Sequence, residues 1–146
     1  MQYKAQIEWQ GNGLPFTAKT YDRTHGITFG GGVHVQASSA PEFLGKAELV
    51  NPEELFTASL NSCFMLTFLY VASMSQVSIE RYEAEAVGTL AKNEEGKMAM
   101  TEVVIKPRIT FVDGNAPDEA VLQSLYKKAH ETCFISCSVK TKVSIV

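Results

Sequence analysis

Cys63, Cys133 and Cys137 are the residues of this 146-residue chain whose chemistry reaches beyond packing. An odd cysteine count in a chain of ordinary core size does not make a secreted disulfide framework. It points to free, redox-active or metal-bound thiols. Cys63 lies within an apolar run, where an unpaired cysteine serves as a small hydrophobe. A second cysteine at the end of a second helix adds another reading, in which the two helices bring Cys63 and Cys133 together as a dithiol. Thiol chemistry needs a thiolate, and apolar burial opposes one, so positive charge has to be supplied nearby. Cys63 lies about three turns inside its helix, too deep for the N-terminal dipole to help. Of the three arginines, Arg23 in Tyr21-Asp22-Arg23-Thr24-His25-Gly26, at a strand end, is the candidate cation; Arg81 and Arg108 fall in a long hairpin and read as solvated. A metal alternative uses His130, Cys133 and Cys137, spaced by three and four, with Cys63 as a fourth zinc ligand. Against it, Ser136-Cys137-Ser138 reads as the start of a strand and the usual zinc spacing is absent. His130 reads as a helix-end residue, and His25 and His34 as surface histidines.

The element that positions Cys63 is a helix from Asn51 to Met74. Asn51 is an N-cap, Pro52 suits the first helical position, and Glu53 and Glu54 complement the positive end of the dipole. From Leu55 onward apolar side chains face nearly every direction, the pattern of a helix enclosed by protein. Thr57, Ser59, Asn61, Ser62 and Thr67 interrupt the run and argue against a membrane span. Before this helix, Tyr3 to Trp9 alternates as a strand, Gly11-Asn12-Gly13 turns, Phe16 to Tyr21 reads as a second strand, and Ile27 to Gln36 as a third, broken by Gly30-Gly31-Gly32. That triplet is a loose hairpin or bulge rather than a nucleotide-binding fingerprint. After it, Ile79 to Leu90 and Met98 to Phe111 form a long hairpin with Pro107 at an edge or bulge. Asp113-Gly114-Asn115 turns, a helix starts at Pro117-Asp118-Glu119 with an apolar stripe of Val121, Leu122, Leu125, Ala129 and Thr132, and Val139 to Ile145 closes as a strand. The order is βββ-α-ββ-α-β in an α+β fold, with one domain over residues 1–146. The formal charge of −3, without a basic run, gives no electrostatic footprint for nucleic acid. The N-terminus lacks the charged and apolar regions of a signal peptide, so a cytoplasmic protein is expected.

Asn51-Pro52-Glu53-Glu54-Leu55-Phe56 with Cys63-Phe64, and later Ala129-His130-Glu131 leading to Cys133, resemble the two signature stretches of the OsmC/Ohr family, the osmotically inducible and organic hydroperoxide resistance proteins. The resemblance covers essentially the whole chain. It implies antiparallel sheets wrapped around two central helices in an intertwined homodimer, and a thiol peroxidase that reduces organic hydroperoxides without a cofactor. Carried over by position, Cys63 is the peroxidatic cysteine, Cys133 the resolving one, Glu53 the motif carboxylate and Arg23 the arginine. The sequence departs from the family in having Phe134 where proline often follows the second cysteine, and in the additional Cys137.

The implied mechanism has Arg23 hold a Cys63 thiolate, which attacks a peroxide; the sulfenic acid then condenses with Cys133, and an external dithiol, a lipoyl-bearing protein by the same resemblance, resets the pair. Phe64, Met65, Phe68, Phe134 and Ile135 flank the cysteines as an apolar pocket for alkyl or lipid hydroperoxides, or as plain core. Glu53 and Cys63 are ten residues apart, about 15 Å along a helix axis, so one arginine hardly reaches both within a chain. This suggests a dimer with antiparallel central helices and sites that mix chains. Alternatively, the fold serves as a non-catalytic dimer that binds a small molecule or zinc.

Overall fold

The computed structural model describes residues 1–114 and 116–146, in two compact units, Met1–Leu55 and Phe56–Val146. In the first unit three short strands, β1 (Ala5–Glu8), β2 (His25–Phe29) and β3 (His34–Ala37), form an antiparallel sheet in that order. The turn between β2 and β3 uses the glycine triplet: Gly32 sits at φ 84°, a conformation glycine adopts without steric cost, and the Phe29 N–H bonds the Val33 carbonyl at 2.9 Å. The strand expected over Phe16 to Tyr21 does not form. Hydroxyl groups capture that segment: Thr17 and Thr20 share a 2.6 Å hydrogen bond, and the Tyr21 N–H turns back to the Thr17 carbonyl at 3.2 Å. Phe16 and Tyr21 instead gather around Trp9, at ring separations of 5.7 and 6.4 Å.

Helix α1 (Pro52–Met74) begins at a reciprocal cap, in which the Glu54 N–H bonds the Asn51 side chain at 2.9 Å and the Asn51 N–H bonds the Glu54 carboxylate at 3.1 Å. By length and composition α1 would suffice to cross a bilayer, with a mean hydropathy of 1.6. Its Leu60, Phe64 and Phe68, however, are fully buried in the core of the second unit. The expectation of a helix covered all round is not met within one chain: Leu66, Tyr70 and Met74, on another face, stand 61, 65 and 70% exposed.

That core is completed by a mixed sheet in the order β4 (Ile79–Lys92), β5 (Met98–Phe111) and β6 (Lys142–Ile145), and by α2 (Glu119–Thr132). Val103 and Ile105 of β5 and Leu125 and Ala129 of α2 meet the α1 stripe, each large buried side chain contributing about 1.5–3 kcal/mol. β4 and β5 are antiparallel, but β6 runs parallel to β5, with Lys142 opposite Glu102 and their side chains paired at 2.9 Å. The sheets are therefore not all antiparallel. Pro107 lies beyond the end of β6, where β5 has become an edge and no N–H is required. α2 is capped by Asp118, which accepts from the Val121 N–H at 2.8 Å. Within the expected α2 stripe, Val121 and Thr132 are exposed. The segment Ser136–Ser138, expected to open a strand, is a 3-10 turn. The turn read at residues 113–115 lies partly outside the described residues; Val112–Gly114 forms a 3-10 turn. The element order βββ-α-ββ-α-β of the α+β fold stands, with the second and third strands placed differently from expectation.

Candidate thiol site

α1 presents Cys63 at half burial, and Cys133 caps the C-terminus of α2, fully buried. The fold sets these two thiols against one another: the Cys133 side chain is a hydrogen-bonding and electrostatic neighbour of Cys63. Burial first, and then Cys133, push the Cys63 thiol pKa upward, while the backbone N–H groups of Ile135 and Phe134 pull it down by donating to the thiolate. Neither amide is taken by a backbone carbonyl among the described residues. The chain turns there because Cys133 leaves the helix at φ −68°, ψ 113°, and a new 3-10 turn starts at Ser136. Those two amides are the part of the site that residue types do not announce. The only signal in the sequence is Phe134 itself, which has an N–H where proline would have none.

The other candidates divide. Phe64 and Phe68 are wholly buried, stacked 6.2 Å apart and packed on Tyr126, so they are core and offer no surface to a ligand. Phe134 is 82% exposed, Ile135 lies at the surface and Met65 is half-buried. Glu53 is half-buried in the first turn of α1. Arg23 belongs to the first unit, where its guanidinium donates to the Tyr21 and Ala18 carbonyls at 3.0 and 2.8 Å and lies over the Tyr21 ring at 4.1 Å. Together with Ile7, Trp9, Phe16 and His25 it lines an apolar pocket of about 590 Å³. Arg81 pairs with Glu83 at the surface and Arg108 is exposed, as expected of solvated cations.

The metal reading fares poorly. α2 stops at Thr132, so His130, Cys133 and Cys137 do not share a continuous helix face, and Cys137 Sγ turns to the Glu131 carbonyl at 3.4 Å. No group of three or more His, Cys, Asp or Glu residues is arranged to hold a metal ion among the described residues. His130 is a helix-end residue whose carbonyl receives the Cys133 N–H at 3.4 Å. Its Nδ1 and the Ser136 hydroxyl are buried without a hydrogen-bond partner among the described residues, two polar groups that flank Cys133 in the chain.

The sequence profile of OsmC-like proteins matches residues 45–146. The chain belongs to the OsmC-like family. Its fold is similar to that of an OsmC-like protein of unknown function from Vibrio cholerae, 36% identical over 100% of this chain and 98% of that one, with a TM-score of 0.94. It is also similar to the organic hydroperoxide resistance protein OhrB of Bacillus subtilis, at 24% identity, 100 and 98% coverage and a TM-score of 0.67, a likeness of fold. An uncharacterized Bacillus subtilis protein is 23% identical over 116 residues, 79% of this chain and 77% of its own length. The OsmC-like fold thus accounts for the two helices and the two sheets.

Proposed function

We propose that this OsmC-like chain is a cysteine-based peroxidase that reduces organic, alkyl or lipid, hydroperoxides to alcohols. The observation that carries the reading is the meeting of Cys63 and Cys133, from different helices, in one partly open site. The Cys63 thiolate attacks the distal peroxide oxygen; the O–O bond breaks and the alkoxide leaves, taking a proton to become the alcohol. The Cys133 thiol then attacks the sulfur of the Cys63 sulfenic acid, water departs, and a Cys63–Cys133 disulfide remains. The Phe134 and Ile135 amides offset part of the burial that works against the thiolate, and they act on whatever negative charge the sulfur bears. Arg23 and Glu53 complete the site across a homodimer, Arg23 coming from the second copy. Exposed Phe134 and Ile135, with Met65, give the alkyl chain an apolar surface. A dithiol, a lipoyl-bearing protein being the expected source, returns both cysteines to thiols in the cytoplasm. The Bacillus subtilis relative named for organic hydroperoxide resistance supports the choice of substrate class.

The deciding experiment follows peroxide loss with a dithiol as reductant. Cys63→Ser is expected to lower cumene hydroperoxide turnover by at least about a thousandfold, because a serine hydroxyl does not ionise near neutral pH and cannot replace the thiolate as nucleophile. Turnover unchanged in that variant would remove Cys63 as the nucleophile, and no turnover by the unaltered protein would leave a binding protein on the same fold.

A further inference from the structure

Cys137 has no part in the cycle just described, yet its position is not neutral. It is exposed, four residues beyond Cys133, and its N–H bonds the Cys133 carbonyl at 3.0 Å, closing one helical turn between the two cysteines. Such a turn holds its end Cα atoms about 6 Å apart, inside the roughly 4.4–6.8 Å that disulfides bridge. Cys137 Sγ, 3.4 Å from the Glu131 carbonyl, already lies over the end of α2 that carries Cys133. Cys133, by contrast, is fully buried, so a Cys63–Cys133 bridge keeps one of its two sulfurs from any reductant in solution.

We propose that Cys137 takes the bridge over from Cys63, moving the oxidised state to a Cys133–Cys137 disulfide whose exposed Cys137 sulfur external dithiols attack, where Cys63 offers only a half-buried one; this rests on the peroxidase reading above. The Cys137 thiol loses its proton and attacks Cys133 Sγ. A Cys133–Cys137 bond forms, the Cys63–Cys133 bond breaks, and Cys63 leaves as a thiolate that takes up the released proton. No electrons are gained or lost in this exchange; the peroxide has already supplied the oxidation. Its consequence is that Cys63 becomes free for a second peroxide before any reductant arrives. The short turn over Ser136–Ser138 is the segment that has to loosen, since Cys137 must swing from the Glu131 carbonyl to Cys133.

The digestion pattern makes the test direct. Trypsin leaves Cys133 and Cys137 together in the peptide Ala129–Lys140, and Cys63 in Ala47–Arg81. Reduced full-length protein is mixed with one equivalent of cumene hydroperoxide, quenched with acid at intervals, alkylated and mapped by mass spectrometry. The expected course is an early crosslink between the two peptides that gives way, severalfold in favour of the product, to an internal bridge in Ala129–Lys140 with Cys63 alkylated. In Cys137→Ser the crosslink is expected to persist, and in Cys63→Ser neither species is expected. A persistent wild-type crosslink with Cys137 alkylated, or an internal bridge in Cys63→Ser, overturns the exchange. Absence of the crosslink at every time in Cys137→Ser overturns the peroxidase reading itself, so the two failures are told apart.

Discussion

Cys63 is subject to opposed influences, and the identity of residue 134 decides one of them. Burial and the neighbouring Cys133 disfavour its thiolate, whereas the Phe134 and Ile135 N–H groups favour it. Proline at 134 would delete one donor while keeping the backbone, because Cys133 already has the extended ψ of 113° that a residue before proline prefers. A hydrogen bond to a charged acceptor is worth about 1.5–3 kcal/mol, and the lower end applies at this half-open site, so Phe134→Pro is expected to slow alkylation of Cys63 by iodoacetamide at neutral pH about tenfold. The pH dependence of that rate should move to higher pH. An unchanged profile would mean that the amide does not act on the sulfur. This contribution was illegible in the sequence because a backbone N–H has no residue signature. The dithiol was legible, since two cysteines at the middle and end of separate helices are a pattern of side chains.

At the level of elements, the α1–β4–α2 packing makes two demands that substitutions can expose. Gly88 of β4 faces Thr57 of α1 and Met100 of β5 so closely that a Cβ would collide with both side chains. Gly88→Ala is expected to destabilise the fold by about 1–3 kcal/mol, read from the midpoint of urea unfolding. Tyr82 packs on Phe68 at 5.9 Å, and burial, with a smaller effect from Tyr126, raises its phenol pKa to about 12. Because the folded pKa lies above the unfolded value of 10.0, the neutral phenol contributes stability in full below pH 10, and this is lost as pH climbs toward 12. Among the described residues the Tyr82 hydroxyl is buried without a hydrogen-bond partner, so Tyr82→Phe is expected to keep or raise the melting temperature at pH 7 and to soften the alkaline fall. A lowered melting temperature at neutral pH would show that the hydroxyl has a partner. The same scale explains what the sequence concealed. The N-cap at Asn51 and the β4–β5 hairpin were readable because caps and alternation are local, although the return bond between the Glu54 carboxylate and the Asn51 N–H was not read. Phe16 to Tyr21 alternates too, but the Thr17 and Thr20 hydroxyls bond each other, Thr20 also donates to the Pro15 carbonyl, and the segment turns instead of extending as a strand. The parallel run of β6 depends on partners far along the chain, and no local pattern encodes it.

α1 exposes Leu66, Tyr70 and Met74, an apolar row that a soluble monomer would rarely leave bare. Arg23, the candidate cation, belongs to one unit and the thiol pair to the other. If the functional unit is a homodimer whose sites take Cys63 from one copy and Arg23 from its partner, two inactive variants should repair each other. Arg23→Ala and Cys63→Ser, each inactive alone, would on random mixing place half of all chains in mixed dimers. Each mixed dimer holds one site with both an intact cysteine and an intact arginine, and one with neither. Co-refolding equal amounts is therefore expected to restore about a quarter of wild-type peroxide turnover, with the mass in solution doubled relative to one chain. Leu66→Glu, which places a charge in the apolar row, should abolish both the dimer and the rescue. No recovery from a mixture shown by mass to be dimeric would place cation and thiol in the same chain, and the arginine would then have to reach Cys63 by leaving the Ala18 and Tyr21 carbonyls that hold it.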